Sequence, residues 1–383
     1  MRIVDVRERT VPLSRYEDPA IPSGGLDTSV VAVRIDAASG PKVGYGFASI
    51  GRFGQHGLIS DRFAPRLLNA VREDLVDESG ELDPVRAWRV LMAGEKVGGH
   101  GERCVAVGAL DMALWDLAAK RAGLPLATLL ARRLGDGVAA DLVPLYASGG
   151  YRYPSDDERR LRDEVLRMRA DGYDRVKIKI GGAALRVDLR RITIAQEHLP
   201  SGHLAVDAMN AYDADSALVA AEALSPLGLW WFEDVCDPHD FRTQRAVTDR
   251  YSGRIAAGEP LFSWQEAALL ADHGGLRPDR DILLFDPAHC YGVTGFARIV
   301  ATMVDRGWKR DAFWPHGGHL FTLHVAAGLR LGGTEVNPFS FAPFGGLRDG
   351  DRVASGAARV SSEPGIGFEQ RDALRTLFGG LAA

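Results

Sequence analysis

Three acids, Asp207, Glu233 and Glu259, each close a short apolar run: HLAVD, LWWFE and RIAAGE. They stand in two equal steps of 26 residues, from 207 to 233 and from 233 to 259. A strand, its covering helix and two connecting loops occupy about that length. Repeating such a unit sets the acids at one height on neighbouring parallel strands. In a (β/α)₈ barrel that height is the C-terminal rim, where such enzymes keep their chemistry. Carboxylates crowded onto one spot resist ionisation unless a cation joins them. Hard oxygen donors select Mg²⁺ or Mn²⁺ over zinc. Taken singly, each acid reads more readily as an unrelated strand-terminal residue of a soluble barrel; the equal step is what unites them as a metal site.

The surrounding chain supports the repeat. From about residue 140, LVPLYAS, RVKIKI, HLAVDAM, LWWFED, RIAAGE, DILLFD and AFWPHG read as seven strands, with an eighth near TEVNP. Helical segments such as ADSALVAAEAL and WQEAALLADH lie between them. Apolar, unalternating strands separated by helices predict a parallel sheet covered on both faces. The strand number favours a closed barrel over an open doubly wound sheet. No phosphate-cradling glycine fingerprint follows any strand.

Residues 1 to about 50 read differently. RIVDVRERTVPL is strand-like, and SVVAVRID with KVGYGFAS predicts a hairpin about Ser39-Gly40-Pro41. The Pro-, Gly- and Asp-rich stretch from Ser14 to Asp27 is a loop. Helical periodicity covers Leu58–Val76 and Arg103–Arg121, and Asp83-Pro84 supplies a cap and a first-turn proline for the helix PVRAWRVLMAG. The Ala- and Gly-rich face of Arg103–Arg121 predicts close packing against another helix. Between these helices, EKVGGHGER reads either as a solvated connection or as a loop that reaches the rim.

A length of 383 residues accommodates a barrel plus an appended unit. The formal net charge of −5 and pI near 6.1 argue against nucleic acid or an anionic membrane as partner. An anionic substrate would need local positive charge from particular residues. Cys104, Cys236 and Cys290 are too scattered for a disulfide framework or a zinc motif. MRIVDVRERT is charged where a signal peptide would be apolar, and no apolar run reaches membrane-spanning length, so a cytoplasmic location is expected.

Two lysines stand out. Lys177 and Lys179, in VKIKIGG, share one face of a strand and lie roughly 6–7 Å apart at the backbone. At an effective dielectric near 20 their repulsion is about 2.5–3 kcal/mol, or about two pKa units. That brings a lysine toward general-base range, while the carboxylates pull the other way. Asp286 ends DILLFD and His316 follows AFWP, so they close adjacent strands. An Asp hydrogen-bonded to a His ring fixes its tautomer and raises its pKa, giving an acid or base at carbon or oxygen. His319 reads as structural. Glu335, at the end of the eighth strand, would hydrogen-bond a substrate carboxylate if protonated.

With KIK, then Asp207, Glu233 and Glu259, then Asp286 and His316, the chain resembles the mandelate racemase subgroup of the enolase superfamily over essentially its whole length. GRFGQHGLI, EKVGGHGERCVAVG, KIKIGGA, RPDRDILLFD, PHGGH and AAGLRLGG are most similar to D-tartrate dehydratases within it. The resemblance implies a modified (β/α)₇β TIM barrel over 140–350. An α+β capping domain would cover 1–135, and a C-terminal segment, 351–383, would return to it. It also implies Mg²⁺, a homo-oligomer, Lys179 as base, His316 as acid, and Lys177 steadying the metal carboxylates. Lys96, Glu335 and Asn210 would contact substrate.

The chain departs from the pattern at Asp207-Ala208-Met209-Asn210, where Asp-x-Asn is usual, and at Pro260, where Asn is usual. It departs from the tartrate enzymes at Ala48-Ser49-Ile50 and at Pro287 and His289. These positions bear on substrate choice more than on dehydration. The implied reaction is Mg²⁺-assisted removal of water from a 2,3-dihydroxy sugar or aldaric acid through an enediolate, giving a 2-keto acid. The alternatives are racemisation or epimerisation at the same site, and a non-catalytic acid-sugar-binding homologue.

Overall fold

The computed structural model describes residues 1–382. Strands β1 (Arg2–Pro12), β2 (Asp27–Asp36) and β3 (Val43–Phe47) form an antiparallel sheet in that order. Arg34 pairs with Val43 across the expected Ser-Gly-Pro turn. Four helices follow: α1 (Ala64–Leu68), α2 (Pro84–Met92), α3 (Glu102–Arg121) and α4 (Leu126–Leu134). Asp83 caps α2 by accepting from Val85 N at 2.9 Å, ahead of the first-turn proline. The helix expected over Leu58–Val76 is instead broken. A π-helical turn over Leu58–Phe63 runs into α1, which has Pro65 in its first turn, and only a short turn at Arg72–Asp74 follows. Proline in mid-pattern cannot donate to the preceding turn, so the segment cannot continue as one α-helix.

The alternating part runs β4 (Leu142–Gly149), α5 (Asp157–Ala170), β5 (Val176–Lys179), α6 (Leu185–Gln196), β6 (Leu204–Asp207), α7 (Ala214–Leu224), β7 (Phe232–Glu233), α8 (Phe241–Arg250), β8 (Ile255–Ala257), α9 (Trp264–His273), β9 (Ile282–Leu283) and α10 (Gly292–Val304). It finishes with α11 (Leu320–Leu329), β10 (Thr334–Val336), β11 (Ala357–Arg359) and α12 (Asp372–Ala382). Strands β4 to β9 pair in parallel in chain order, and β10 pairs with β4. Residues 313–316 complete the ring. Trp314 N donates to Leu283 O at 2.8 Å on one side, and Gly332 N donates to Phe313 O at 3.0 Å on the other. This seventh strand makes only an isolated bridge, Leu283 to Phe313. Pro315 has no N–H for the ladder, which keeps the strand short.

Local chemistry fixes the barrel helices. Asp213 caps α7 by accepting from Ser216 N at 2.9 Å. Ser263 caps α9 while Glu266 reaches back to Phe262 N at 2.8 Å. Inside the barrel, Tyr146, Trp230, Trp231 and Trp314 pack as a buried aromatic floor. Period-two alternation then points Lys177, Lys179, Asp207 and Glu233 inward above it.

Helix α3 is buried along almost its whole length and joins the N-terminal sheet to the barrel. A Cβ on Gly44 would lie 2.0 Å from Ala113 O, so β3 lies flat against α3. The close approach expected of this helix is thus made against a strand as well as against α10. On the other side, Asp111 accepts from Thr294 Oγ1 at 2.7 Å, and Trp115 Nε1 donates to the same hydroxyl at 3.0 Å. The tail divides. Strand β11 pairs antiparallel with β4, whereas α12 packs on the N-terminal sheet, with Phe378 stacked on Tyr45 at 4.8 Å. Among the described residues no helix is long and apolar enough to cross a membrane.

Candidate active site

Asp207 and Glu233 are direct partners across β6 and β7, level as the spacing requires. The third acid is not level. Glu233 pairs with Ala256, and Glu259 stands three residues further on, beyond the end of β8. The chain turns there at Gly258, whose φ of +121° suits glycine. That turn carries the Glu259 carboxylate back over the barrel mouth. One oxygen from each of Asp207, Glu233 and Glu259 lies within 4.8 Å of the others. Asp207 and Glu233 are buried, while the Glu259 side chain keeps 23% of its surface exposed and marks the open side.

The donor set fits a hard divalent cation: three carboxylates, with no sulfur or imidazole in the triad. Burial pushes Glu233 up to about 8 against the pull of Lys177, with Asp207 adding repulsion. Asp234, which also faces this cluster, is driven well above the carboxylate range by burial and by Glu259, Asp207 and Glu233. A divalent cation would relieve that crowding.

Lys177 is fully buried. Its ammonium donates to Glu233 Oε1 at 2.5 Å, approaches Glu335 Oε1 at 3.2 Å, and sits 5.4 Å from the Tyr146 ring centroid. Lys179 donates to Asp207 Oδ2 at 2.5 Å. Burial alone would lower both lysines, but Glu233 and Glu335 hold Lys177, and Asp207 holds Lys179, above the ordinary value. The carboxylates therefore outweigh the mutual repulsion of the lysines.

On the opposite flank, His316 Nδ1 lies 2.9 Å from Asp286 Oδ2. Its Nε2 lies 3.6 Å from both Glu259 Oε2 and Glu335 Oε2. Burial opposes the charge on His316, yet Glu259, Glu335 and Asp286 raise it to about 9.

Other sequence expectations fare differently. Against the effect of burial, Lys177 and His316 hold Glu335 well below the usual carboxylate range, and Gly317 N donates to it at 2.9 Å. Both oppose the protonated donor that the sequence suggested. The Asn210 amide is committed to the loop, donating to Cys236 O at 2.7 Å. Lys96 is exposed on the loop between α2 and α3 and lines a separate cavity of about 130 Å³ with Trp88, His100 and Trp264. None of the triad, Lys179 or His316 lines that cavity. His319 is a helix cap, its Nδ1 facing Thr322 N at the start of α11.

Three further residues reach the site from loops: Ser49 and His289, which the sequence marked as departures bearing on substrate choice, and Arg15, which it did not single out. Ser49 Oγ donates to Asp286 Oδ2 at 3.0 Å across 237 residues of chain. Arg15, in the Ser14–Asp27 loop, lines a cavity of about 290 Å³ with Tyr16, Tyr151, Arg152 and Lys179. The Tyr151 ring centroid lies 5.8 Å from the Arg15 guanidinium and 5.3 Å from the Lys179 ammonium. Arg15 places a positive charge beside this cavity, and its only sequence signal was a cation inside a turn-rich loop. His289 also faces Asp286, with Nε2 at 3.5 Å from Oδ2.

Fold and site together define a capped parallel barrel whose rim joins an oxygen-ligand triad to an amine on one flank and an imidazole on the other. Residues 23–131 match the mandelate racemase / muconate lactonizing enzyme N-terminal domain, and residues 160–374 match the enolase C-terminal domain-like family. The chain belongs to the mandelate racemase / muconate lactonizing enzyme group of the enolase superfamily. It is 29% identical over 291 residues to L-talarate/galactarate dehydratase of Salmonella typhimurium, covering 75% of this chain and 68% of that one. It is 30% identical over 283 residues to 3,6-anhydro-alpha-L-galactonate cycloisomerase of Streptomyces coelicolor, covering 73% and 72%. Among solved structures, L-talarate dehydratase from Polaromonas sp. JS666, complexed with Mg and L-glucarate, superposes with a TM-score of 0.71 at 25% identity, covering 95% of this chain and 94% of that chain.

Proposed function

We propose that the protein is a Mg²⁺-dependent hydro-lyase that removes water from a 2,3-dihydroxy sugar or aldaric acid to give a 2-keto acid. One observation carries the reading: Lys179 and His316 flank the Asp207–Glu233–Glu259 triad from opposite sides, at 2.5 Å from Asp207 and 3.6 Å from Glu259. A carboxylate held at the triad would therefore present its α-carbon between a base and an acid.

Asp207, Glu233 and Glu259 would hold Mg²⁺, which would supply neutralisation of the charge developing on the substrate carboxylate. Lys179, after its ammonium gives up a proton to solvent, would take the α-proton as the neutral amine. The His316 imidazolium, oriented by Asp286 and Ser49, gives its Nε2 proton to the departing β-hydroxyl, which leaves as water. The enol so formed tautomerises to the keto acid. Lys177 keeps Glu233 and Glu335 in place. Arg15 and Arg152 would receive a distal carboxylate, which favours an aldaric acid. The relatives named for talarate and galactarate support that class, whereas the likeness to D-tartrate dehydratases rests on the short stretches quoted above.

The same reading carries a capping unit over 1–135, a barrel over 140–350 and a returning tail over 351–383. It also carries a cytoplasmic homo-oligomer with no nucleic-acid or membrane partner. The rival reading is racemisation or epimerisation, since two proton-transfer groups on opposite faces of one carbon also permit return of the proton.

A sugar-acid library incubated with Mg²⁺ and assayed with semicarbazide separates the two. Keto-acid formation from one or more members is expected. Exchange of the α-proton in D₂O without any keto acid would favour the racemase reading. Binding of acids with no dependence on Mg²⁺ and no exchange would leave only a binding protein.

A further inference from the structure

Asp286 has more neighbours than an orienting carboxylate needs. Its Oδ2 faces three groups: His316 Nδ1 at 2.9 Å, Ser49 Oγ at 3.0 Å and His289 Nε2 at 3.5 Å. Its Oδ1 accepts from Ala288 N at 2.7 Å. Asp286, His289 and His316 each offer one donor atom, all within 4.8 Å of one another.

His289 is the unusual member. Its Nδ1 lies 3.1 Å from the Glu259 carbonyl oxygen. A carbonyl only accepts, so Nδ1 carries the proton and Nε2 presents a lone pair. That Nε2 is buried and has no hydrogen-bond partner among the described residues. A lone pair aimed at a carboxylate oxygen calls for a positive centre between the two. An imidazole whose other N–H is anchored on a backbone carbonyl is also the usual arrangement of a metal-ligating histidine. His316 has the matching outer partners, with Nε2 facing Glu259 and Glu335 at 3.6 Å.

We propose that Asp286, His289 and His316 form a second metal site, of two nitrogens and one oxygen, for a borderline divalent cation of the Zn²⁺ type. Metal–ligand bonds of about 2.0–2.2 Å at tetrahedral angles separate the donor atoms by about 3.3–3.6 Å. The 3.5 Å contact already matches that spacing, and the 2.9 Å contact needs to open by a few tenths of an ångström. Imidazole and carboxylate together suit Zn²⁺ or Co²⁺, whereas Mg²⁺ is retained by the all-oxygen triad. Occupancy replaces the proton shared by His316 Nδ1 and Asp286 with the cation. The metal-bound imidazole then lacks the second proton that an imidazolium donates. On the reading proposed above, such occupancy inhibits dehydration; the binding itself does not depend on that reading.

The probe is Co²⁺, added to the full chain with Mg²⁺ in large excess. One equivalent should give visible d–d absorption typical of nitrogen ligation. His289→Gln should abolish it and weaken Zn²⁺ binding, read by calorimetry, by roughly 100-fold. Glu259→Gln should leave the absorption in place. Zn²⁺ inhibition of turnover should not be relieved by raising Mg²⁺ tenfold. Anomalous scattering from the unmutated protein crystallised with Zn²⁺ and Mg²⁺ should place Zn²⁺ between Asp286 and His289, which covers a His289 variant that fails to fold. Absorption that survives His289→Gln would overturn the proposal. So would anomalous density confined to the triad, or a water in place of the cation.

Discussion

Lys179 Nζ donates to Asp207 Oδ2 at 2.5 Å, so the amine assigned to proton abstraction is held by a carboxylate assigned to the cation. On the proposed reading, base and metal site share this one side chain, and an ion at the triad would compete with Lys179 for Asp207.

Replacing Lys179 by Ala should stop α-proton exchange in D₂O, with a loss of about 10²–10⁴-fold or more in turnover. Proton NMR of a turned-over sugar acid reads this directly. Exchange at the rate of the unmodified protein would remove Lys179 from the role of base.

Mg²⁺ should raise the thermal midpoint of the protein, since it binds the folded triad. A hundredfold excess over Kd corresponds to about 2.7 kcal/mol. Glu259→Gln should lose most of that shift, as seen by differential scanning calorimetry with and without Mg²⁺. An undiminished shift would place the ion elsewhere.

His316 should titrate near 9 in the Mg²⁺-free protein, followed by imidazole NMR. Its charged form exists below that value, so a reaction that needs it as an acid declines as pH rises through the folded-state midpoint. Glu259 is the largest of the groups that raise it, so Mg²⁺ at the triad should shift the midpoint downward. Asp286→Asn removes another supporting charge and should move the alkaline limb of kcat to lower pH. A limb that stays in place in this variant would rule out the Asp286–His316 pair as its source.

Arg15→Ala should raise KM by about tenfold for an aldaric acid and change kcat little, consistent with loss of one charge-assisted hydrogen bond. For a sugar acid with a single carboxylate the effect should be small. Equal effects on both substrates would argue that Arg15 does not read the distal group.

Gly108→Ala should destabilise the join between cap and barrel. The new Cβ would lie 2.1 Å from Ala288 O, and neither backbone can yield freely. A cost of about 1–3 kcal/mol is expected from overpacking, measured by urea denaturation. Because Ala288 lies between Asp286 and His289, the variant should also lower turnover.

The strand-terminal acids and paired lysines were legible in the sequence because they depend on local periodicity. A residue closing an apolar strand lies at the rim, and a residue two before it shares its face. That logic placed Asp207, Glu233, Lys177 and Lys179 inside the barrel, and set Asp286 and His316 on adjacent strands. It could not see that Glu259 passes the strand end and returns through the Gly258 turn. Nor could it fix the direction of pKa shifts, since Glu335 is held low, against burial, by Lys177 and His316 converging on it.

Ser49, Arg15 and His289 reach the site, and Lys96 lines another cavity, through loop geometry alone. Side-chain alternation and helix periodicity act over a few residues, so one chain suffices to determine them. Contacts such as Ser49 to Asp286 exist only because α3 holds the N-terminal sheet against the barrel, and that docking is decided by packing across hundreds of residues.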